Sequence, residues 1–212
     1  MALPVVVAVG GCGPQVAEKV KKHAEAIKVG EGMGEGVEMG PVISAKAKDR
    51  IVGLIDDAEK RGSKVVLDGR GLTVPGYENG HFLGPTVLDD VPLDAPVYTE
   101  EVFGPVLAIV HADTYEEALK IVNAQPFGNG SAIFTNDGGV ARRFTLDVEA
   151  GMVGVNVPIP TPVAFYSFGG WKESLLGDTH IHGPEGVTFY TRAKAITCLL
   201  YTSPSPRDKR QS

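Results

Sequence analysis

The stretch Glu101-Val-Phe-Gly-Pro-Val106 sets a carboxylate two residues before an aromatic ring and follows both with a Gly-Pro turn and an apolar run over 106–110. A carboxylate at the mouth of a strand can accept a hydrogen bond from a sugar hydroxyl while the nearby ring packs on a flat heterocycle. Cys12 is a second chemical candidate, because a helix N-terminus favours the thiolate. No His stands near it in the sequence, so an ordinary loop thiol is expected. Asp178-x-His180-x-His182 carries three potential donors at alternate positions, which project to one side of an extended segment. Metal ligation is nevertheless not expected there. Gly10-Gly-Cys-Gly-Pro14 falls short of a dinucleotide fingerprint: Val16 occupies the position that needs Gly or Ala, and Pro14 removes an amide. The glycines of residues 30–40 lack a Gly-Lys-Ser/Thr ending and do not open from a strand, so they are not a phosphate loop.

These residues need elements to hold them, and β and α patterns alternate along the chain. Residues 3–9 are β-branched without polar alternation, the pattern of a buried parallel strand. Val16, Val20, Ala24 and Ile27 share one face of a helix over 14–28. The loop 30–40 follows, and Ser44 is placed to cap a second helix that turns Ile51, Leu54, Ile55 and Ala58 inward and stops at Arg61-Gly62. Strands are expected over 64–68, 81–88 and 106–111. Thr114-x-x-Glu117 forms a capping box before a helix containing Ala118, Ile121 and Val122. Residues 131–135, a helix around 140–148 and residues 152–157 make a β-α-β unit with a right-handed crossover. Residues 158–186 are dense in Pro, Gly and aromatics with little periodicity, as in a functional loop. Residues 187–197 alternate as an outlying strand.

Composition narrows the classes. The 212 residues are 43% apolar, enough for a packed core. A net charge of −6 argues against a general nucleic-acid binder. Two cysteines give no disulfide framework and suit a reducing compartment. No secretion signal is expected, and no apolar run approaches the ~20 residues that crossing a bilayer requires.

With its neighbours in order, the acid-aromatic motif acquires a family. Gly40-Pro41, Pro85-Thr86, Glu101-x-Phe103-Gly-Pro105, Gly151-Met-Val-Gly-Val-Asn156, Phe168-Gly-Gly-Trp-Lys172 and Phe189-Tyr-Thr191 are co-linear. Together they resemble the aldehyde dehydrogenases. The opening MALPVVVAVG, PFGNGSAIFTND over 126–137 and residues 151–197 resemble the coenzyme A-dependent methylmalonate-semialdehyde branch of that superfamily. The resemblance runs to about Thr197. It implies an α/β fold, a parallel-sheet, Rossmann-like aldehyde dehydrogenase catalytic domain lacking the N-terminal NAD-binding half. The expected division is a partial catalytic domain over 1–186, an oligomerisation strand over 187–197 and a non-native, adapter-derived tail over 198–212.

The resemblance also implies roles. Glu101 would hold the ribose of NAD and Phe103 would support the nicotinamide, while Asn156 and Phe168 would stand at the substrate. The nucleophilic Cys of the family, preceded by Gln-Arg, would fall immediately before Met1, so no catalytic residue is expected within the chain. The intact enzyme would oxidise methylmalonate or malonate semialdehyde with NAD and coenzyme A to propionyl-CoA or acetyl-CoA, carbon dioxide and NADH, in valine or inositol catabolism. It would be a homotetramer of the bacterial cytoplasm or the mitochondrial matrix, without nucleic-acid or membrane partners. The 212 residues alone would be inactive. A generic hydrolytic aldehyde dehydrogenase and a non-enzymatic oligomerisation module are the alternatives.

Overall fold

A computed structural model describes residues 3–198, in which the alternating pattern becomes three layers. Strand β1 (Val5–Val9) runs through a 3-10 turn, Gly10–Cys12, into helix α1 (Gly13–Glu25). Helix α2 (Ala45–Lys60) follows the glycine loop, then strands β2 (Lys64–Leu67) and β3 (Thr86–Asp89). A short helix α3 (Pro96–Thr99) leads to β4 (Val106–Ala112) and helix α4 (Tyr115–Asn123). The principal sheet has the order β1-β4-β3-β2, with β1, β4 and β3 parallel and β2 antiparallel at one edge. Pleating sorts its side chains between two cores. Val87 and Ile109 face α1 with Ala8 and Ala17, whereas Leu88, Ala108 and Val110 face Ile51, Leu54, Ile55 and Ala58 of α2. Helices on both faces make the sheet doubly wound, as expected.

The helix boundaries follow from capping. The Ser44 hydroxyl accepts from the Ala47 amide at 3.1 Å, and Gly62 takes φ 103° just beyond α2. The Thr114 hydroxyl accepts from the Glu117 amide at 3.2 Å, while the Glu117 carboxylate reaches one residue further back than a strict capping box, to the Asp113 amide at 2.7 Å. Beyond α4 a smaller layer forms. It holds β5 (Phe127–Gly128), β6 (Gly130–Ile133), helix α5 (Gly138–Asp147), β7 (Met152–Val155) and β8 (Trp171–Lys172). Strands β6 and β7 are parallel, and Phe144, Val148 and Ala150 pack this layer against α4 through Leu119 and Val122.

Three expectations are corrected. Strand β3 begins only at Thr86, because residues 81–85 are held as a loop by the close passage of Gly84 over Gly69, whose carbonyl accepts the Gly84 amide at 2.9 Å. Strand β1 is an edge strand whose side chains are mostly half-buried rather than buried. Residues 187–190 are not strand: they lie in helix α6 (Pro184–Tyr190), and residues 191–198 carry no regular structure. Pro184 presets the first helical turn, and among the described residues no strand pairs with 187–198, so a helix satisfies the local backbone instead. Within the expected tail 198–212, only Cys198 is described and it is exposed, the rest lying outside the described residues.

Candidate functional site

The parallel pairing fixes where the acid-aromatic loop sits. Residues 100–105 connect α3 to the start of β4, and half-buried Pro85 leads into buried Thr86, the first residue of β3, beside it. The Thr86 amide donates to the Pro105 carbonyl at 2.8 Å, and the Ala108 amide donates to the Pro4 carbonyl at 2.9 Å. The starts of β1, β3 and β4 therefore form one rim.

That loop is pinned from beneath. The Val102 side chain is 2% exposed, in the core under α2. The Arg50 guanidinium of α2 donates to the carbonyls of both Glu101 and Val102. Gly104 passes so near Ile51 that a Cβ there would lie 2.5 Å from its Cδ1, so only glycine fits without moving a fully buried side chain. Between these anchors Phe103 takes φ 51°, a left-handed conformation that a bulky residue rarely adopts, and its ring is 78% exposed. Such strain is of the order of 1–3 kcal/mol and persists only where the surroundings enforce it. An open groove of about 600 Å³ lies between Phe103 and Pro105 on one side and residues 39–43 with Ala47 and Arg50 on the other. Among the described residues, the exposed Glu101 carboxylate has no hydrogen-bond or ion-pair partner.

Asn156 and Phe168 lie apart from this pair in the smaller layer. Asn156 follows β7 with φ 57°, which its short amide tolerates. Its Oδ1 accepts from the Thr135 amide at 3.0 Å and its Nδ2 donates to the Thr135 carbonyl at 3.1 Å, latching the end of β7 to the end of β6. That is the strand-cap use of the residue. The Phe168 ring is half-buried and stacks on the His182 ring, with centroids 4.6 Å apart and planes 2° from parallel. His180 is held by Glu185, its Nδ1 being 3.3 Å from the carboxylate, so Asp178, His180 and His182 do not converge on a common point.

Two positioning features were not visible in the linear pattern. Arg50 is 51 residues from Glu101 in sequence, and only the fold brings its guanidinium under the loop. His111 lies at the far end of β4, against Gly13, next to Cys12: a Cβ on Gly13 would fall 2.1 Å from the ring Cε1. An imidazole thus does stand near Cys12 in space.

The geometry defines a doubly wound α/β domain with an anchored acid-aromatic loop at one rim of its sheet. The aldehyde dehydrogenase family model matches residues 1–196, and the chain belongs to that family. It is 49% identical over 201 residues to the malonate-semialdehyde dehydrogenase of Pseudomonas aeruginosa, covering 93% of this chain and 40% of that protein. It is 46% identical over 197 residues to the acylating, mitochondrial methylmalonate-semialdehyde/malonate-semialdehyde dehydrogenase of Bos taurus, covering 93% of this chain and 36% of that protein. A solved Sinorhizobium meliloti protein, assigned as a methylmalonate-semialdehyde dehydrogenase and complexed with NAD, superposes with a TM-score of 0.90 at 45% identity. That match covers 96% of this chain and 41% of the other. The chain spans about 40% of the length of the relatives it matches. No described helix is long and apolar enough to cross a membrane.

Proposed function

We propose that this chain supplies the nicotinamide-facing rim and the substrate-entrance loop of an NAD-dependent, coenzyme A-acylating dehydrogenase acting on malonate or methylmalonate semialdehyde. The observation that carries the reading is the pinned loop, which holds a free carboxylate and an exposed ring at the rim where the chain enters β1. Those groups fit NAD. The Glu101 carboxylate has open lone pairs for the ribose hydroxyls, and the Phe103 ring borders a groove wide enough for a flat ring system. When bound, NAD supplies the hydride acceptor.

The chain's own residues position the reactants. Arg50, by fixing the backbone of Glu101 and Val102, keeps the carboxylate and the ring in one relative orientation without a rearrangement at the moment of reaction. The exposed ring excludes water from one side of the groove. Phe168, backed by His182, provides an apolar wall at the aldehyde entrance, and Asn156 shapes the same mouth by latching β7 to β6. In this reading the 212 residues alone are inactive, because none of the residues given a role here is a nucleophile. Transfer of the acyl group to coenzyme A rather than water is favoured by the acylating relative.

The test joins this chain to the part of the Pseudomonas aeruginosa relative outside the match. The 212-residue chain by itself should give no aldehyde-dependent NADH, whereas the joined protein should form NADH and acyl-CoA from malonate semialdehyde. In the joined protein Glu101→Gln and Phe103→Ala should slow hydride transfer about tenfold or more while changing NAD affinity little. An unchanged pre-steady-state hydride step in both variants would exclude the assigned roles. Release of free acid despite saturating coenzyme A would move the reading to a hydrolytic dehydrogenase.

A further inference from the structure

The opposite rim of the sheet, at the carboxyl ends of its parallel strands, gathers a second set of polar groups that the proposed dehydrogenase chemistry does not use. Asp89 ends β3 and His111 lies near the end of the adjacent β4. Successive residues of a strand ordinarily point to opposite faces. Asp90, immediately past the strand, takes φ 53°, which turns its carboxylate to the same side as that of Asp89. His111 Nε2 is then 2.6 Å from Asp89 Oδ1 and 3.3 Å from Asp90 Oδ1, and the three donor atoms lie within 4.8 Å of one another. The ring lies against Gly13, where a Cβ would fall 2.1 Å from its Cε1, so the ring keeps this place beside the carboxylates only while position 13 is glycine.

We propose that Asp89, Asp90 and His111 bind a first-row divalent cation, with Zn²⁺ best matched to the donor set. One imidazole nitrogen and two carboxylate oxygens form an N/O set of the borderline type that Zn²⁺ accepts, and they leave a fourth position to water. Two ligands about 2.0–2.1 Å from a tetrahedral ion stand about 3.3 Å apart. The His111 to Asp90 separation already has that value, and the His111 to Asp89 separation, 2.6 Å against 3.3 Å, needs to open by about 0.7 Å as the ion takes the place of their direct contact. The side chains of Asp89, His111 and Asp90 are 13%, 32% and 43% exposed, so the ion has a route in from solvent and a half-buried seat. Open α/β sheets offer their ligand crevices at this end of the strands. Lys64, opposite Asp89 on β2, pairs with the other oxygen of Asp90 at 2.6 Å and is the cation's competitor.

The experiment titrates the 212-residue chain with Co²⁺ as a spectroscopic probe and displaces it with Zn²⁺. A single site should give Co²⁺ d–d absorption that Zn²⁺ abolishes. His111→Asn and Asp90→Asn should each weaken Co²⁺ binding by about tenfold or more, since losing even an outer-shell partner has that effect. Lys64→Met should tighten it by roughly two- to fivefold, the worth of an exposed ion pair. Asp90 is exposed, so its variant keeps the fold and circular dichroism verifies it. Equal affinities in the parent chain, His111→Asn and Asp90→Asn would place the bound ion on the other histidines or cysteines and overturn the proposal. So would an absence of Co²⁺ binding by the folded parent.

Discussion

The two rims of the parallel sheet are built in opposite ways. At the strand starts, position is set by backbone: Arg50 grips two carbonyls, a Cβ on Gly69 would run into the Gly84 backbone and one on Gly104 would displace the buried Ile51 side chain, and Phe103 is forced into a left-handed conformation. At the strand ends, position is set by side-chain charge, with His111, Asp89, Asp90 and Lys64 meeting at a partly exposed surface. A backbone-built rim is stiff and intolerant of substitution, because glycine geometry and a buried anchor cannot relax. A charge-built rim can be retuned one residue at a time, because solvent screens each pair.

The comparison is broken most directly at the glycines. A Cβ on Gly69 would lie 1.9 Å from the carbonyl oxygen of Gly84, a backbone atom that cannot rotate away, so Gly69→Ala should destabilise the chain by about 3 kcal/mol in urea unfolding. A Cβ on Gly13 meets only the His111 ring, which can swing outward, and Gly13→Ala should lose about 1 kcal/mol. Equal losses would show that the two rims do not differ in stiffness. Arg50→Ala comes next. It removes a charged donor from two carbonyls and should lower stability by about 2 kcal/mol, with hydrogen exchange accelerated chiefly at residues 101–104. Uniform acceleration over the whole chain would mean that Arg50 acts on the fold and not on the loop. A smaller effect, of opposite sign, sharpens the contrast. Phe103→Asn keeps φ 51° with a residue that tolerates it and loses little burial, so it should stabilise by about 1 kcal/mol. A loss of stability would show that the exposed ring contributes packing that its 78% exposure does not suggest.

The stiff rim was legible in the sequence as a motif but not as a mechanism. Glu101, Phe103 and the Gly-Pro turn could be singled out, and the Ser44 and Thr114 caps placed α2 and α4 to within a residue, because caps and turns are local. Arg50 could not be found, because a side-chain bond across 51 residues leaves no local trace. The same holds for His111, whose approach to Gly13 depends on β1 pairing with β4. Residues 187–197 failed for a different reason. Their alternation is a statement about faces, and a strand also needs a partner edge, which the described chain does not offer it. Exposed Val187, Phe189, Tyr190 and Ile196 leave an interface role for this segment as a proposal that a measured association constant can test.

Acid provides the smallest probe, because the backbone-built rim carries one charge-built fastening of its own. Arg70, in the loop between β2 and β3, joins Asp68 at 2.7 Å and Glu59 at 2.8 Å and also pairs with Asp56, so it ties that loop to α2. The Arg70 hydrogen bond holds the Asp68 carboxyl below its ordinary value of 3.8, against an opposing effect of burial. A carboxyl with a lower value in the folded chain binds fewer protons there than in the unfolded chain. Its contribution to stability is therefore complete above the ordinary value and is lost as pH falls through the lower folded one. The Asp68 side chain is 44% exposed, so the contribution is that of a screened surface pair, no more than about 1 kcal/mol. Urea unfolding of the parent and of Asp68→Asn should differ by that amount near neutrality, and the two should converge as the pH is lowered past 3.8 toward full protonation. A difference that stays constant across that range would mean that Asp68 acts through its shape and its hydrogen bond to the Arg70 amide, and that the charge on the fastening is incidental.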